Sequence, residues 1–222
     1  MKQIPLPISP DAPPSLEAFV PGGNAMALQH VGAFHAGSAP LYLWGPAGSG
    51  KTHLLQALAE RFTRQGGLVG WFGAADATPW PHDDGRALLV LDDCERFDEA
   101  RQQAAFALFV EATTLGIPVA AAGRLPPVDL PLRDDLRTRL GWGHVVAVQP
   151  LSEAESCAAM RRAADRRGLF LSDEVMDYLL THFERDMKHL MALLERLDTF
   201  SLATKRAITI PLLKQMLAEE KA

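Results

Sequence analysis

The chain has 222 residues, of which 48% are hydrophobic and 22% charged, so we expect a globular protein with one domain of ordinary size and a small second one. The net charge of −5 offers no overall attraction for nucleic-acid phosphates, and Cys94 and Cys157 lack the spacing of a disulfide framework or a zinc site. No segment is apolar enough for a signal peptide or a membrane span, which predicts a cytoplasmic protein with no membrane partner.

The first fourteen residues hold five prolines, which predict an extended tail because proline fixes φ and lacks an N–H group. The tail contains a hexapeptide in which a glutamine is followed by apolar residues and prolines: Gln3, Ile4, Pro5, Leu6, Pro7 and Ile8. A pre-extended segment with one hydrogen-bonding anchor and two apolar plugs suits a groove on a partner protein. A leader segment without a partner is the alternative interpretation.

Short apolar runs alternate with helical patterns over residues 15–150. Strands are predicted at the run from Leu41 and at 68–72, 87–91 and 117–122, and helices at 54–62 and 100–114. Such alternation is typical of an α/β domain with a parallel sheet covered by helices.

Residues 151–222 have only helical patterns. Ser152 and Glu155 form a capping box that opens a predicted helix reaching Arg167. Further helices are predicted to begin at Ser172, at Asp186 and at Thr209. We therefore expect a small α-helical domain after the α/β domain.

The segment between the first predicted strand and helix matches the phosphate-binding motif GxxxxGK[ST] in full. It comprises Gly45, Pro46, Ala47, Gly48, Ser49, Gly50, Lys51 and Thr52, and the predicted cofactor-binding set also includes the next residue, His53. In this motif the backbone N–H groups and the helix N-terminus bind phosphates, the lysine neutralises the β- and γ-phosphates and the threonine coordinates magnesium. The predicted cofactors are ADP or ATP with Mg²⁺.

The run Leu88-Leu89-Val90-Leu91-Asp92-Asp93 has the form of a Walker B strand. Asp92 is the predicted metal ligand. Asp93 is the predicted catalytic residue that orients the attacking water, although its side chain is shorter than the usual glutamate, which favours weak intrinsic ATPase activity. Paired aspartates that cap the following turn are the alternative interpretation.

The P-loop, the LLVLDD run and the segment Arg133-Asp134-Asp135-Leu136-Arg137-Thr138-Arg139-Leu140-Gly141-Trp142-Gly143 together resemble the AAA+ core of the DnaA-related family. The resemblance extends from about Ser15 to Leu217. It implies a P-loop AAA+ domain followed by a helical lid, and it implies that Arg139 is an arginine finger, with Arg137 as the competing candidate. A solvated surface arginine is the alternative.

Two family sensors depart from the usual pattern. The sensor at the end of the fourth strand falls within 121–124, where alanine and glycine offer no side-chain donor. Lys188 is the cofactor-binding residue predicted in the lid, at a motif position where an arginine is usual, so it provides a point charge in place of the two parallel hydrogen bonds of a guanidinium. We therefore expect ADP to bind at least as well as ATP. The segment Phe19–Asn24 is similar to the family's segment beside the adenine.

The tail hexapeptide resembles the sliding-clamp-binding hexapeptide of the family's regulatory members, and the chain ends at Ala222 without the C-terminal helix-turn-helix of DnaA. The resemblance implies a negative regulator of chromosomal replication initiation whose partners are DnaA and the DNA polymerase III β sliding clamp. Sequence-specific DNA binding is not expected, and a homodimer is compatible with AAA+ contacts. An autonomous ATPase or helicase-loader-like protein and a noncatalytic clamp adaptor are the alternatives.

Overall fold

A computed structural model describes residues 14–183 and 187–219, apart from the side chain of Lys188. The described residues form two compact units, one that ends at Pro150 and one that begins at Leu151. Within these residues, no helix is long and apolar enough to cross a bilayer.

The first unit contains a sheet of five parallel strands. The strands are β1 (Leu41–Trp44), β2 (Leu68–Gly73), β3 (Arg86–Asp92), β4 (Val119–Gly123) and β5 (His144–Ala147). Their spatial order is β2-β3-β4-β1-β5, so the P-loop strand β1 lies between β4 and β5. Four helices accompany the sheet: α1 (Ala25–Ala33), α2 (Lys51–Arg64), α3 (Glu99–Leu115) and α4 (Asp134–Leu140).

Side chains alternate between the two faces of this sheet, and each face has its own apolar core. On β3, Leu88 and Val90 pack against α1 and α2, whereas Leu89 and Leu91 pack against α3 and α4. Both sets are almost fully buried. A parallel sheet covered on both faces requires apolar residues at consecutive strand positions, which explains the unbroken LLVL run.

The second unit consists of four helices, α5 (Glu153–Arg166), α6 (Asp173–His182), α7 (Met187–Thr204) and α8 (Ile210–Glu219). The capping box at the start of α5 is formed as the sequence predicts, because the Ser152 hydroxyl accepts from the Glu155 N–H while the Glu155 carboxylate accepts from the Ser152 N–H. The Ser172 side chain caps α6 in the same position. Leucine and methionine side chains from all four helices form one core.

The predicted fold class, an α/β P-loop domain with a parallel sheet followed by an α-helical unit, is confirmed. Three elements of the first unit, α1, α4 and β5, are not predicted from the sequence. Strand β4 begins at Val119 and not at Ile117, because the Ile117 N–H still donates to Ala112 at the end of α3.

Candidate nucleotide-binding site

The loop between β1 and α2 has glycines where no other residue fits. At Gly45 the φ angle is +155°, and a Cβ there would lie 2.1 Å from the Val148 carbonyl oxygen. Gly50 is the N-cap of α2 with φ +97°, and its Cβ would lie 2.7 Å from the ring of Phe19. The backbone can therefore turn tightly at both ends of the loop and enter α2 with its N–H groups unhindered by side chains.

Lys51 lies against this loop with only 8% of its surface exposed. Its Nζ donates to the carbonyl oxygens of Gly45 at 2.8 Å and Pro46 at 2.9 Å. Burial lowers the pKa of Lys51, and the negative charges of Glu95, Asp92 and Asp93, in that order, oppose this shift. An ammonium group placed in this way is suited to receive a phosphate as a further partner.

The buried hydroxyl of Ser49 has no hydrogen-bond partner among the described residues. A buried polar atom without a partner costs free energy, so this hydroxyl provides a reason for an additional polar group at the loop. A phosphate oxygen would satisfy it.

Thr52 and Asp92 come together as a magnesium site requires. The Thr52 hydroxyl donates to Asp92 Oδ2 at 2.9 Å, and Asp92 is 8% exposed. Burial raises the pKa of Asp92, while hydrogen bonds from Thr52 and from the Asp93 N–H act against that shift. Hydroxyl and carboxylate oxygens are ligands that Mg²⁺ prefers, and Mg²⁺ usually completes its shell with phosphates and water. The two residues thus fit a nucleotide-bound magnesium ion.

Asp93 has a left-handed backbone with φ +54°, a conformation that aspartate tolerates better than most residues. Its side chain is 48% exposed and lies 3.5 Å from Arg96. The predicted role of Asp93 in orienting water stays a prediction.

Residues 15–24, here called the entry segment, contact the P-loop, the start of α2 and the residues that follow β5. Phe19 packs against Gly50 and lies 5.9 Å from the His53 ring, between ring centroids. Asn24 is 2% exposed and makes two hydrogen bonds with the backbone of Gln149, at 2.7 and 2.9 Å. The His53 Nε2 lies 3.1 Å from the Ser15 carbonyl oxygen, so the ring of His53 contacts the entry segment.

Sequence reasoning missed a charge pair beside the P-loop. Glu95 Oε2 accepts from the Arg124 N–H at 3.1 Å, and Glu95 Oε1 lies 3.2 Å from Arg124 Nε as an ion pair without the alignment of a hydrogen bond. Ala122 and Gly123 carry no side-chain donor, as expected, but the next residue carries this guanidinium. A signal was present, since both residues closely follow the carboxyl ends of adjacent parallel strands, where ligand sites of such sheets lie.

Arg139 lies near the end of α4, and its guanidinium packs against two aromatic rings. Its Cζ is 4.9 Å from the centroid of Phe106 and 4.6 Å from that of Trp142. No carboxylate in the described part of the chain pairs with it, whereas Arg137 donates to Asp134 at 2.6 Å. The two candidates for the arginine finger therefore differ in their partners: Arg137 is paired with a carboxylate, and Arg139 packs against aromatic rings.

Two predicted sets fall outside the described residues. They are the tail hexapeptide from Gln3 to Ile8 and, in the second unit, the side chain of Lys188. Their roles stay predictions.

Comparisons with known proteins identify the fold and the lid. Residues 153–217 match the family model described as Hda, lid domain. Domain III of the replication initiation protein DnaA from Thermotoga maritima is similar with a TM-score of 0.76 at 21% identity, over 96% of this chain and 98% of that one. AMPPCP-bound DnaA from Aquifex aeolicus has a TM-score of 0.63 at 24% identity, over 82% of this chain and 64% of that one.

A mutant RuvB from Thermotoga maritima shares the fold more distantly, with a TM-score of 0.65 at 16% identity over 93% of this chain and 72% of that one. The fold of this chain is therefore similar to that of domain III of DnaA, and residues 153–217 match the lid domain of Hda, in agreement with the resemblance found in the sequence.

Proposed function

We propose that this chain is a nucleotide-bound negative regulator of replication initiation that promotes hydrolysis of the ATP bound to DnaA. The observation that carries the proposal is the guanidinium of Arg139, which packs against the rings of Phe106 and Trp142 and has no acidic partner among the described residues. A guanidinium inserted beside a neighbour's γ-phosphate stabilises the charge of the transition state. An arginine without an acidic partner in its own chain loses no ion pair when it reaches another protein's phosphate.

The position of α4 supports an action on a neighbour. Its Leu136 and Leu140 belong to the core on one face of the sheet, whereas the P-loop helix α2 packs on the opposite face. Arg139 therefore extends from a different layer than the helix that holds Lys51 and Thr52. In AAA+ assemblies the contacts are heterologous, so the finger of one subunit faces the nucleotide of the next.

The nucleotide bound by this chain is proposed to be a structural ligand. Lys51, Thr52 and Asp92 fit the phosphates and magnesium, and similar DnaA structures hold the nucleotide analogue AMPPCP. Asp93 is shorter than glutamate and lies close to Arg96, which favours weak intrinsic hydrolysis. ADP or ATP with Mg²⁺ would then stabilise the folded chain by binding to it.

We assign a separate role in this function to each of three segments of the chain. Residues 1–14 are the proposed clamp-binding tail, 15–150 the AAA+ domain and 151–222 the lid. Attachment to the DNA polymerase III β sliding clamp would restrict the activity to DNA that carries a clamp, and it would raise the effective concentration at which DnaA is encountered.

A turnover assay tests the proposal. DnaA carrying radiolabelled ATP is incubated with this chain, the clamp and DNA, and with each component left out in turn. We expect rapid conversion to ADP only when all components are present. Rapid turnover by this chain alone would favour an autonomous ATPase or helicase loader, and clamp binding without stimulated hydrolysis would favour a noncatalytic adaptor.

The tail has a separate test. Because Gln3 is the proposed hydrogen-bonding anchor and Leu6 an apolar plug, the double variant Gln3→Ala, Leu6→Ala is expected to lose clamp binding by at least about a hundredfold, since two anchors at a binding hot spot are removed. Clamp affinity is measured by surface plasmon resonance, and ADP affinity of the same variant by calorimetry. ADP affinity should be unchanged.

The matched control for the tail is Lys2→Ala, which alters the same segment outside the hexapeptide. It should bind the clamp within about twofold of the wild type, because a charge at the edge of an interface contributes little affinity. Equal clamp binding by the double variant and by this control would contradict the proposal that the hexapeptide binds the clamp.

A further inference from the structure

The carboxylate of Glu95 lies where the sheet edge meets the P-loop. Its Oε2 would be 3.2 Å from a Cβ built on Gly123, and the Gly123 carbonyl oxygen accepts from the Gly45 N–H at 3.3 Å. On the other side of the same glycine, the Gly45 carbonyl oxygen accepts from Lys51 Nζ at 2.8 Å. Glu95 thus lies beside Gly123, which is hydrogen-bonded to Gly45, and Gly45 accepts from the lysine that is proposed to bind phosphate.

The Glu95 side chain is 12% exposed, whereas that of Arg124 is 60% exposed. The carboxylate contacts Arg124 twice, through the backbone N–H and through Nε. The mostly buried carboxylate of Glu95 is therefore paired with the cation that directly follows β4. Arg124 lies at the carboxyl edge of the sheet, where ligands of parallel sheets bind, and its guanidinium already faces Glu95.

The three carboxylates near the P-loop lysine have different partners. Asp93 lies 3.5 Å from Arg96, and Glu95 lies beside Arg124. Magnesium would compensate Asp92, which lies with Thr52. Glu95 lies on the Arg124 side, where no such ion is indicated.

We propose that Glu95 sets the nucleotide preference of this site by discriminating against a third phosphate. The inference rests on the proposed nucleotide binding and names the residue responsible for its selectivity. A γ-phosphate brings negative charge towards the Glu95 carboxylate, and in a partly buried site such repulsion is screened less than in water. The same carboxylate withholds Arg124 from the γ-phosphate. ADP ends at the β-phosphate, so neither the repulsion by Glu95 nor the retention of Arg124 weakens its binding.

The repulsion of the γ-phosphate by Glu95 and the retention of Arg124 by Glu95 both weaken ATP binding relative to ADP binding. The substitution Glu95→Gln removes both effects and therefore tests the proposal. The amide removes the repelling charge and releases the positive charge of Arg124 to the phosphates. We expect the ratio of ATP affinity to ADP affinity to rise about tenfold or more, since a hydrogen bond to a charged group is gained as a repulsion is lost. ADP affinity should change by no more than about threefold, because ADP lacks the phosphate on which the altered charge is proposed to act.

The affinities of both nucleotides are measured by calorimetry with Mg²⁺ on the full chain, for the wild type and for variants. Arg124→Gln leaves the Glu95 charge without its partner and is expected to shift the ratio the other way, towards ADP. In the double variant Glu95→Gln, Arg124→Gln, the ratio of ATP affinity to ADP affinity should rise less than in Glu95→Gln alone, because the side chain at position 124 can no longer offer a positive charge to the γ-phosphate. Glu60→Gln, in an exposed pair with Arg64 on α2, is the matched control and should leave the ratio unchanged.

Three outcomes would overturn the inference. An unchanged ratio in a Glu95→Gln variant that unfolds at the wild-type temperature would contradict it directly. If that variant does not fold, Arg124→Gln decides, and a shift towards ATP would contradict it. A wild type that binds neither nucleotide would refute the proposed nucleotide binding itself, which is how failure of the proposed function is recognised.

Discussion

Replacing Arg139 by alanine should reduce stimulated hydrolysis of DnaA-bound ATP by about a thousandfold or more, because a finger acting in trans contributes mainly to the transition state of its neighbour's reaction. The variant should keep its own nucleotide affinity, since the guanidinium lies on Phe106 and Trp142 and not at its own P-loop. The measurement is the amount of labelled ATP that remains on DnaA after incubation with the variant and clamp-loaded DNA.

Arg137→Ala is the matched control, because Arg137 lies on the same short helix and is already paired with Asp134. It should retain stimulation within about threefold of the wild type, since an exposed ion pair contributes little. Loss of stimulation in Arg137→Ala together with full activity in Arg139→Ala would reverse the assignment. Calorimetry with ADP is the check that both variants retain the nucleotide site.

Replacing Lys51 by alanine should abolish measurable nucleotide binding. The lysine is almost fully buried against the loop, and no other described residue donates from that position. A ligand present at 100 times its Kd stabilises the folded state by about 2.7 kcal/mol, so the wild type should gain thermal stability with ADP and the variant should not. The check is the unfolding temperature with and without ADP and Mg²⁺.

Arg64→Ala removes a cation from the other end of α2, where its exposed side chain contacts Glu60. This control should respond to ADP like the wild type. A Lys51→Ala variant that is stabilised by ADP to the same extent would show that the P-loop does not hold the phosphates.

Features that depend on neighbouring residues were predictable from the sequence. The alternation of apolar runs and helical patterns is a local property, and it predicted four of the five strands of the sheet as well as helices α2 and α3. The capping box at Ser152 and Glu155 marked the start of α5, because its hydrogen bonds connect residues three positions apart. The P-loop was recognised because its chemistry resides in eight consecutive residues.

Elements with a weak local pattern were missed. Strand β5 has only four residues, and two of them, His144 and Val145, are exposed at the edge of the sheet. Helix α4 has seven residues and only two buried leucines, so its helical period is hardly expressed. Such elements are stabilised by contacts with the rest of the fold and not by their own sequence.

The site also depends on pairs that are distant in the chain. The sequence by itself determined the P-loop, the acidic strand end and the helical character of the lid. Only the tertiary structure brought Thr52 to Asp92, separated Arg139 from Arg137 by their partners and placed Arg124 on Glu95. The reason is that the strand order β2-β3-β4-β1-β5 decides which strand ends are neighbours, and this order follows from packing both sheet faces and not from any local pattern.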